Sequence, residues 1–176
     1  SSQTGQLTNV NELSNTLGLA AKTINNYLWL AEKTFILKKV TPYTRNFRKE
    51  ITKAPIYYFT DFGLRNFAVG LFGQADIAEN TGLLFQNFIF SLLYEHLPLG
   101  NSSLHFWRTK DGAEVDFILD LVSHPLPVEV KYQNLKQPEI GRSLKSFIEK
   151  YRPPKALIVN LELEKNVQLD QTSVSF

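Results

Sequence analysis

The sequence predicts a mixed α/β chain in two parts, a helix-turn-helix unit with a basic hairpin followed by an α-β-β-β-α-β core. Three observations lead there. Apolar residues recur at helical spacing between residues 10 and 17 and again between 24 and 31. Apolar runs at 104–108, 113–122 and 125–132 are separated by Asp111-Gly112 and Ser123-His124-Pro125, the pattern of an antiparallel meander. A helical stretch over 138–151 then leads through Arg152-Pro153-Pro154 into Ala156-Leu157-Ile158-Val159, a crossover that makes the last strand parallel to its neighbour.

In the first unit, Asn9 caps a short helix whose buried stripe is Val10, Leu13 and Leu17. Gly18 supplies the turn, and Ile24, Tyr27, Leu28 and Ala31 stripe a second helix. Lys22, Thr23, Asn25, Asn26, Trp29 and Lys33 lie off that stripe, which makes the second helix a recognition helix for a major groove. Ser2 to Leu7 is expected to be the remnant of a preceding helix. Residues 37–59 read as a hairpin wing. There Lys38, Lys39, Arg45, Arg48, Lys49 and Lys53 face only Glu50, a local surplus of five positive charges on a chain whose net charge is just +2. Such a wing suits the phosphate backbone, and it equally suits docking on a neighbouring protein module. The boundary falls at residue 81, giving units 1–81 and 82–176. The junction holds a helix from Leu64 to about residue 71 and the glycines Gly70, Gly73 and Gly82. Phe62, Phe67 and Phe72 are candidates for the contact between the units, with ordinary core packing as the default.

In the second unit a helix over 82–96 carries Leu84, Phe85, Phe88, Ile89, Leu92 and Leu93, with Gln86 at the edge of that face. The tail from Gln168 reads as at most one more edge strand.

The chemistry lies in the meander. Strict alternation in the strand over 113–122 sets Val115, Phe117 and Leu119 on one face and Glu114, Asp116, Ile118 and Asp120 on the other. In the next strand Glu129 and Lys131 project together, opposite Val128 and Val130. Two carboxylates and a lysine from neighbouring strands are what a Mg²⁺-dependent phosphodiester-cleaving site requires. Asp116 and Glu129 would be the metal ligands, the Val130 carbonyl a third oxygen, and Lys131 the group that holds phosphate or polarises water.

These residues resemble the PD-(D/E)XK nuclease-like, or restriction-endonuclease-like, fold, with Asp116 at its first acidic position and Glu129-Val130-Lys131 as its E-x-K. More widely, five stretches are similar to the C-terminal region that follows the ATPase module in a family of prokaryotic AAA-type ATPases. They are Pro55-Ile56-Tyr57-Tyr58-Phe59-Thr60-Asp61-Phe62-Gly63-Leu64, Gly82-Leu83-Leu84-Phe85-Gln86-Asn87, Phe106-Trp107-Arg108, Gly112-Ala113-Glu114-Val115-Asp116-Phe117 and the Glu-Val-Lys run. The resemblance implies a further glutamate on the first core helix, where this chain has Gln86. An uncharged amide is a poorer cation ligand than a carboxylate.

Other classes have little support. There is no cysteine, so disulfides, thiolate metal sites and cysteine catalysis are excluded, which fits a reducing cytoplasm. The most apolar stretch, Leu83 to Tyr94, is too short to cross a bilayer and is interrupted by Gln86 and Asn87. No glycine-rich phosphate loop ending in Gly-Lys-Ser/Thr occurs, so ATP hydrolysis would belong to an attached ATPase module. The start at Ser1-Ser2-Gln3 and the lack of methionine point to a piece of a longer protein. His96, His105 and His124 share no ligand spacing. Two expectations result. One is a DNA- or partner-binding regulatory module; the other is a Mg²⁺-dependent DNA nuclease using Asp116, Glu129 and Lys131, supported by Gln86 or Glu114.

Overall fold

The computed structural model describes residues 5–44, 54–68, 70, 81–97 and 102–176. Among these residues the helices are α1 (Val10–Leu17), α2 (Ala21–Lys33), α3 (Phe62–Ala68), α4 (Thr81–Glu95) and α5 (Arg142–Tyr151). The strands are β1 (Leu37–Pro42), β2 (Ile56–Phe59), β3 (Ser103–Arg108), β4 (Glu114–Asp120), β5 (Pro125–Val130), β6 (Lys155–Val159), β7 (Asn166–Leu169) and β8 (Thr172–Ser175). The fold is therefore mixed α/β with a core made mostly of sheet.

Local chemistry sets the ends of α1. Asn9 accepts the backbone N–H groups of Asn11 and Glu12 at 3.1 and 3.3 Å, and Gly18 closes the helix in the left-handed region at φ 64°. The amphipathic stripes are only half realised. No residue of α1 is buried and α2 buries Ile24 alone, while Leu17 and Tyr27 are each 58% exposed. These two helices pack on each other, and α2 packs on β1. Gly5 to Leu7 is not helical: Leu7 forms an antiparallel bridge with Ile56.

All eight strands form one sheet, in the order β2-β1-β3-β4-β5-β6-β8-β7. The hairpin β1–β2 pairs antiparallel from Leu37↔Phe59 to Val40↔Ile56. It then joins the second half of the chain, because β1 runs parallel to β3 at Thr41↔His105 and Pro42↔Phe106. The meander β3–β4–β5 is antiparallel, and the crossover through α5 makes β6 parallel to β5. The tail supplies two strands, a hairpin whose β8 is parallel to β6.

Helices cover the sheet on both faces. On one face α5 buries Leu144, Phe147 and Ile148 against Trp107, Val115, Ile118 and Ile158. On the other, α4 buries Ile89 and Phe90 against Val40, Ile56, Tyr58, Phe117 and Val128. Buried Asn87 ties α4 to the hairpin. Its side-chain oxygen accepts the Phe59 N–H at 3.0 Å and its amide donates to the Phe59 carbonyl at 2.9 Å. Of the three junction phenylalanines, Phe62 meets Phe88 edge-on at 6.4 Å, Phe67 is 71% exposed, and Phe72, like Gly73, lies outside the described residues.

One register shift changes the expected strand faces. Trp107 pairs with Val115 and His105 with Ile118, so Asp116 and Phe117 together oppose Phe106 in a β-bulge. Val115 and Ile118 consequently face α5, while Phe117 packs on the α4 side. Strict alternation had set Val115 with Phe117 and Asp116 with Ile118; the extra residue breaks both pairings.

Because Ile56 of the hairpin is 1% exposed in the same cluster as Phe90 and Phe117, Ile56→Ala should cost about 2–5 kcal/mol. In urea denaturation followed at Trp107, with Trp29 replaced by phenylalanine, the loss should appear as one shifted transition. A separate early transition would mean the hairpin is not coupled to the rest of the sheet.

Candidate acidic site at the end of the sheet

Ladder pairing between β4 and β5 starts at Asp120↔Pro125 and stops at Phe117↔Val128, one residue short of Asp116. Past that point β5 continues beside β6, where Lys131 N–H donates to the Val159 carbonyl at 2.8 Å. The freed Val130 N–H donates to Asp116 Oδ2 at 2.8 Å. Gln86, carried on α4, donates from Nε2 to Asp116 Oδ1 at 2.7 Å. Both carboxylate oxygens thus accept an N–H.

Glu129 and Lys131 form a second group. Lys131 Nζ lies 3.4 Å from Glu129 Oε1 and 3.4 Å from the carbonyl oxygen of Glu139. Both side chains are more than four-fifths buried. Glu129 is tucked against the residue before α5: a β-carbon at Gly141 would stand 3.2 Å from Oε1, so glycine permits the approach. Among the described residues its other oxygen, Oε2, is buried without a hydrogen-bond partner. Glu129 and Lys131 flank Val130, whose backbone holds Asp116, so the two groups are joined through three consecutive residues of the chain.

Burial pushes the Asp116 carboxyl up from its ordinary 3.8 to about 7, because desolvation penalises the charged form. The Val130 hydrogen bond opposes that shift, the Glu129 and Glu114 charges add to it, and Lys131 opposes it.

Beside Asp116 opens a cleft of about 480 Å³ lined by Gly5, Gln6, Leu7, Gln86, Arg108, Glu114 and Asp116. Arg108 reaches Glu114 across its rim at 3.5 Å. The hairpin's Tyr58 is buried behind Gly5, where a β-carbon would be 3.0 Å from Gln86 Oε1 and 3.6 Å from Tyr58 Cε1. Arg108 and the Gly5 to Leu7 segment, both lining this cleft, were absent from the sequence-based site. Arg108 closes the apolar run at 104–108, and which neighbours it would meet depended on the strand order.

The remaining candidates lie elsewhere. Lys22, Asn25 and Asn26 are exposed on α2, and Lys39 is exposed on β1. Lys38 stands 4.9 Å from the centre of the Tyr94 ring. Arg45, Arg48 and Lys49 lie outside the described residues. Among the described residues no helix is long and apolar enough to cross a membrane, and no three histidine, aspartate or glutamate side chains converge as a metal site. As arranged, the Asp116 group does not fit a divalent cation. N–H donors occupy the approach to both Asp116 oxygens, and an ammonium faces Glu129 Oε1.

The chain is thus a mixed α/β protein with an acidic, hydrogen-bonded site at one end of its sheet. Residues 81–175 match the family described as domain of unknown function DUF4143, and the chain belongs to that family. Residues 1–75 match a second family, described as domain of unknown function DUF8612. The chain is similar to uncharacterized proteins of Mycobacterium bovis and Mycobacterium tuberculosis, 28% identical to each over 146 residues. The alignment covers 82% of this chain and 32% of each of those proteins, so the chain spans about a third of the length of the curated relatives it matches.

An acid whose folded-state value lies above its unfolded one binds more protons when folded, so it costs stability as pH rises. For Asp116 the loss should run from about pH 4 to about pH 7 and level off above. In Asp116→Asn that slope should vanish, so thermal melts of variant and wild type should diverge in the variant's favour across this window. Parallel curves would show that Asp116 ionises as an ordinary surface carboxylate.

Proposed function

We propose that this chain is the C-terminal part of an AAA-type ATPase and serves it as a DNA-binding regulatory module with a nuclease-like but non-cleaving core. The observation that carries the reading is the 2.7 Å bond from Gln86 to Asp116. Where the resemblance implies a carboxylate that would share a cation, the chain has an amide that donates a hydrogen bond instead. The order α4-β3-β4-β5-α5-β6, with Asp116 on β4 and Glu129 on β5, supports a restriction-endonuclease-like core. The α1–α2 pair followed by the β1–β2 hairpin supports a winged helix-turn-helix.

The DNA reading draws on one helix face. Lys22, Asn26, Trp29 and Lys33 are all exposed and follow one another by four, three and four residues, a continuous stripe along α2. Its charge and amide groups suit phosphates and base edges, and exposed Lys39 extends the basic character onto the hairpin. The adjoining apolar side, with Leu17, Leu30 and Phe35 at 58%, 51% and 80% exposure, suits contact with the attached ATPase module. A cytoplasmic location accompanies this reading.

A second reading is an active Mg²⁺-dependent nuclease using Asp116, Glu129 and Lys131. It is favoured by the buried Glu129 Oε2, which has no hydrogen-bond partner among the described residues and so has capacity for a ligand.

Duplex DNA should be retained undiminished in EDTA and lost with rising salt. Lys22→Ala combined with Lys39→Ala should reduce the slope of log affinity against log salt by about 0.9 for each phosphate contact removed, measured by fluorescence anisotropy. Cleavage that needs Mg²⁺ and disappears in Asp116→Ala would establish the second reading instead.

Calorimetry offers an independent check. Wild-type protein should take up no Mn²⁺ at micromolar concentrations. Gln86→Glu sets two carboxylates at the distance now bridged by the amide, where they cannot both stay charged without a shared proton or cation. That variant should be less stable without metal and gain Mn²⁺ affinity by about tenfold or more. Equal Mn²⁺ binding by both proteins would remove the argument from Gln86.

A further inference from the structure

The chain has two tryptophans, and the fold treats them oppositely. Trp107 is 3% exposed, edge-on to Phe147 at 5.3 Å and to Tyr151 at 6.3 Å, with Lys150 Nζ 5.8 Å from its ring. Trp29 on α2 is 60% exposed, and among the described residues no aromatic ring or cation lies against it. Most of that indole adds nothing to the core. Phosphate and base-edge contacts from the α2 stripe leave its face in water as well, although that face is the largest part of the side chain.

The neighbours of Trp29 say what its face could meet. Side chains three and four positions away on the same side of the helix are Asn25, Asn26, Glu32 and Lys33, all of them polar. The exposed apolar side of this unit lies elsewhere, since Leu30 is turned about 100° round the helix from Trp29. A protein interface has a core depleted of charge, which this setting lacks.

Charge completes the setting. Exposed Lys22 and Lys33 stand about 10 Å before and about 6 Å after Trp29 along the helix axis, and exposed Lys39 follows on β1. Glu32 is the one acid of α2. Burial, and after it the Glu32 charge, raise the pKa of Tyr57, so that acid stands toward the hairpin. An aromatic face bracketed by cations fits a polyanion that carries flat rings, which is nucleic acid. In a duplex both faces of each base are covered by neighbours, so an indole in a groove reaches only edges unless a base is first unstacked. A single strand presents the faces directly, and stacking on an aromatic side chain tolerates any base.

We propose that Trp29 is a stacking platform for an unpaired base, so that the α2 face grips single-stranded DNA by a base face as well as by its phosphates, with Lys22 and Lys33 on the flanking phosphates. This rests on the DNA-binding reading given above and adds the form of the strand.

The test uses a labelled oligothymidylate of about twelve nucleotides and a labelled duplex of equal length, both in EDTA. Trp29→Leu, which keeps an apolar side chain without a ring, should bind the strand about tenfold more weakly and change duplex affinity by less than about twofold. Trp29→Phe should restore most of the loss. Because Trp107 is buried, the strand should also quench the emission of wild-type protein, and that quenching should be absent in Trp29→Leu. Melting temperatures of both variants should match wild type, as expected at an exposed position. Unchanged strand affinity in Trp29→Leu, an equal loss on strand and duplex, no recovery with phenylalanine, or a marked fall in melting temperature would each overturn the platform. The DNA-binding reading survives any of these as long as Lys22→Ala with Lys39→Ala weakens duplex binding. Wild-type protein that holds neither probe removes both.

Discussion

The bulge that sets Asp116 and Phe117 against Phe106 is the constraint on which the rest of this structure depends. A bulge turns the strand within one residue. Here it lets Phe117 enter the α4-side core while Asp116 reaches both α4 and the freed N–H of Val130. With regular alternation Phe117 and Asp116 would face opposite sides. The carboxylate would then lose either Gln86 or the β5 backbone, and the α4-side core would lose a fully buried ring.

The same region explains why α4 sits where it does. Phe90 touches Tyr58 and Phe117 at once, at 4.5 and 6.3 Å between ring centres. Asn87, one residue from Gln86, takes over both backbone groups of Phe59 on the sheet edge. An edge strand whose polar groups would otherwise meet water is thereby closed by a helix. Gln86 is carried to Asp116 by contacts that are themselves required by packing, which preorganises the amide without any ion. Gly5 to Leu7 of the first family segment, bridged to the hairpin at Ile56, line the second segment's cleft.

Desolvation and hydrogen bonding pull Asp116 in opposite directions. Burial alone raises a carboxyl by making its charge costly, and two N–H donors make that charge cheaper. The outcome, near 7, leaves the group balanced between its charged and neutral states close to neutral pH. Glu129, by contrast, has an ammonium alongside and a glycine that lets it approach α5. Two acids thirteen residues apart in the chain therefore sit in unlike environments at one end of the sheet.

Much of the fold was legible because its signals are local. The Asn9 and Gly18 caps, the Asp111-Gly112 turn, the apolar run at 156–159 and the helical spacing of Leu144, Phe147 and Ile148 each act within a few residues. So did the choice of Asp116, Glu129 and Lys131, which rests on residue type and strand parity. Three features were not legible. The bulge depends on how β3 and β4 pair, the union of the hairpin with β3 on a contact more than sixty residues apart in sequence, and the cleft on Gly5, Gln86 and Arg108 meeting from three separate segments. The sequence by itself determined which groups were available and the period of each element. Tertiary structure alone decided which of them meet, because register and strand order are set by the joint burial of distant side chains, and no local pattern encodes that sum.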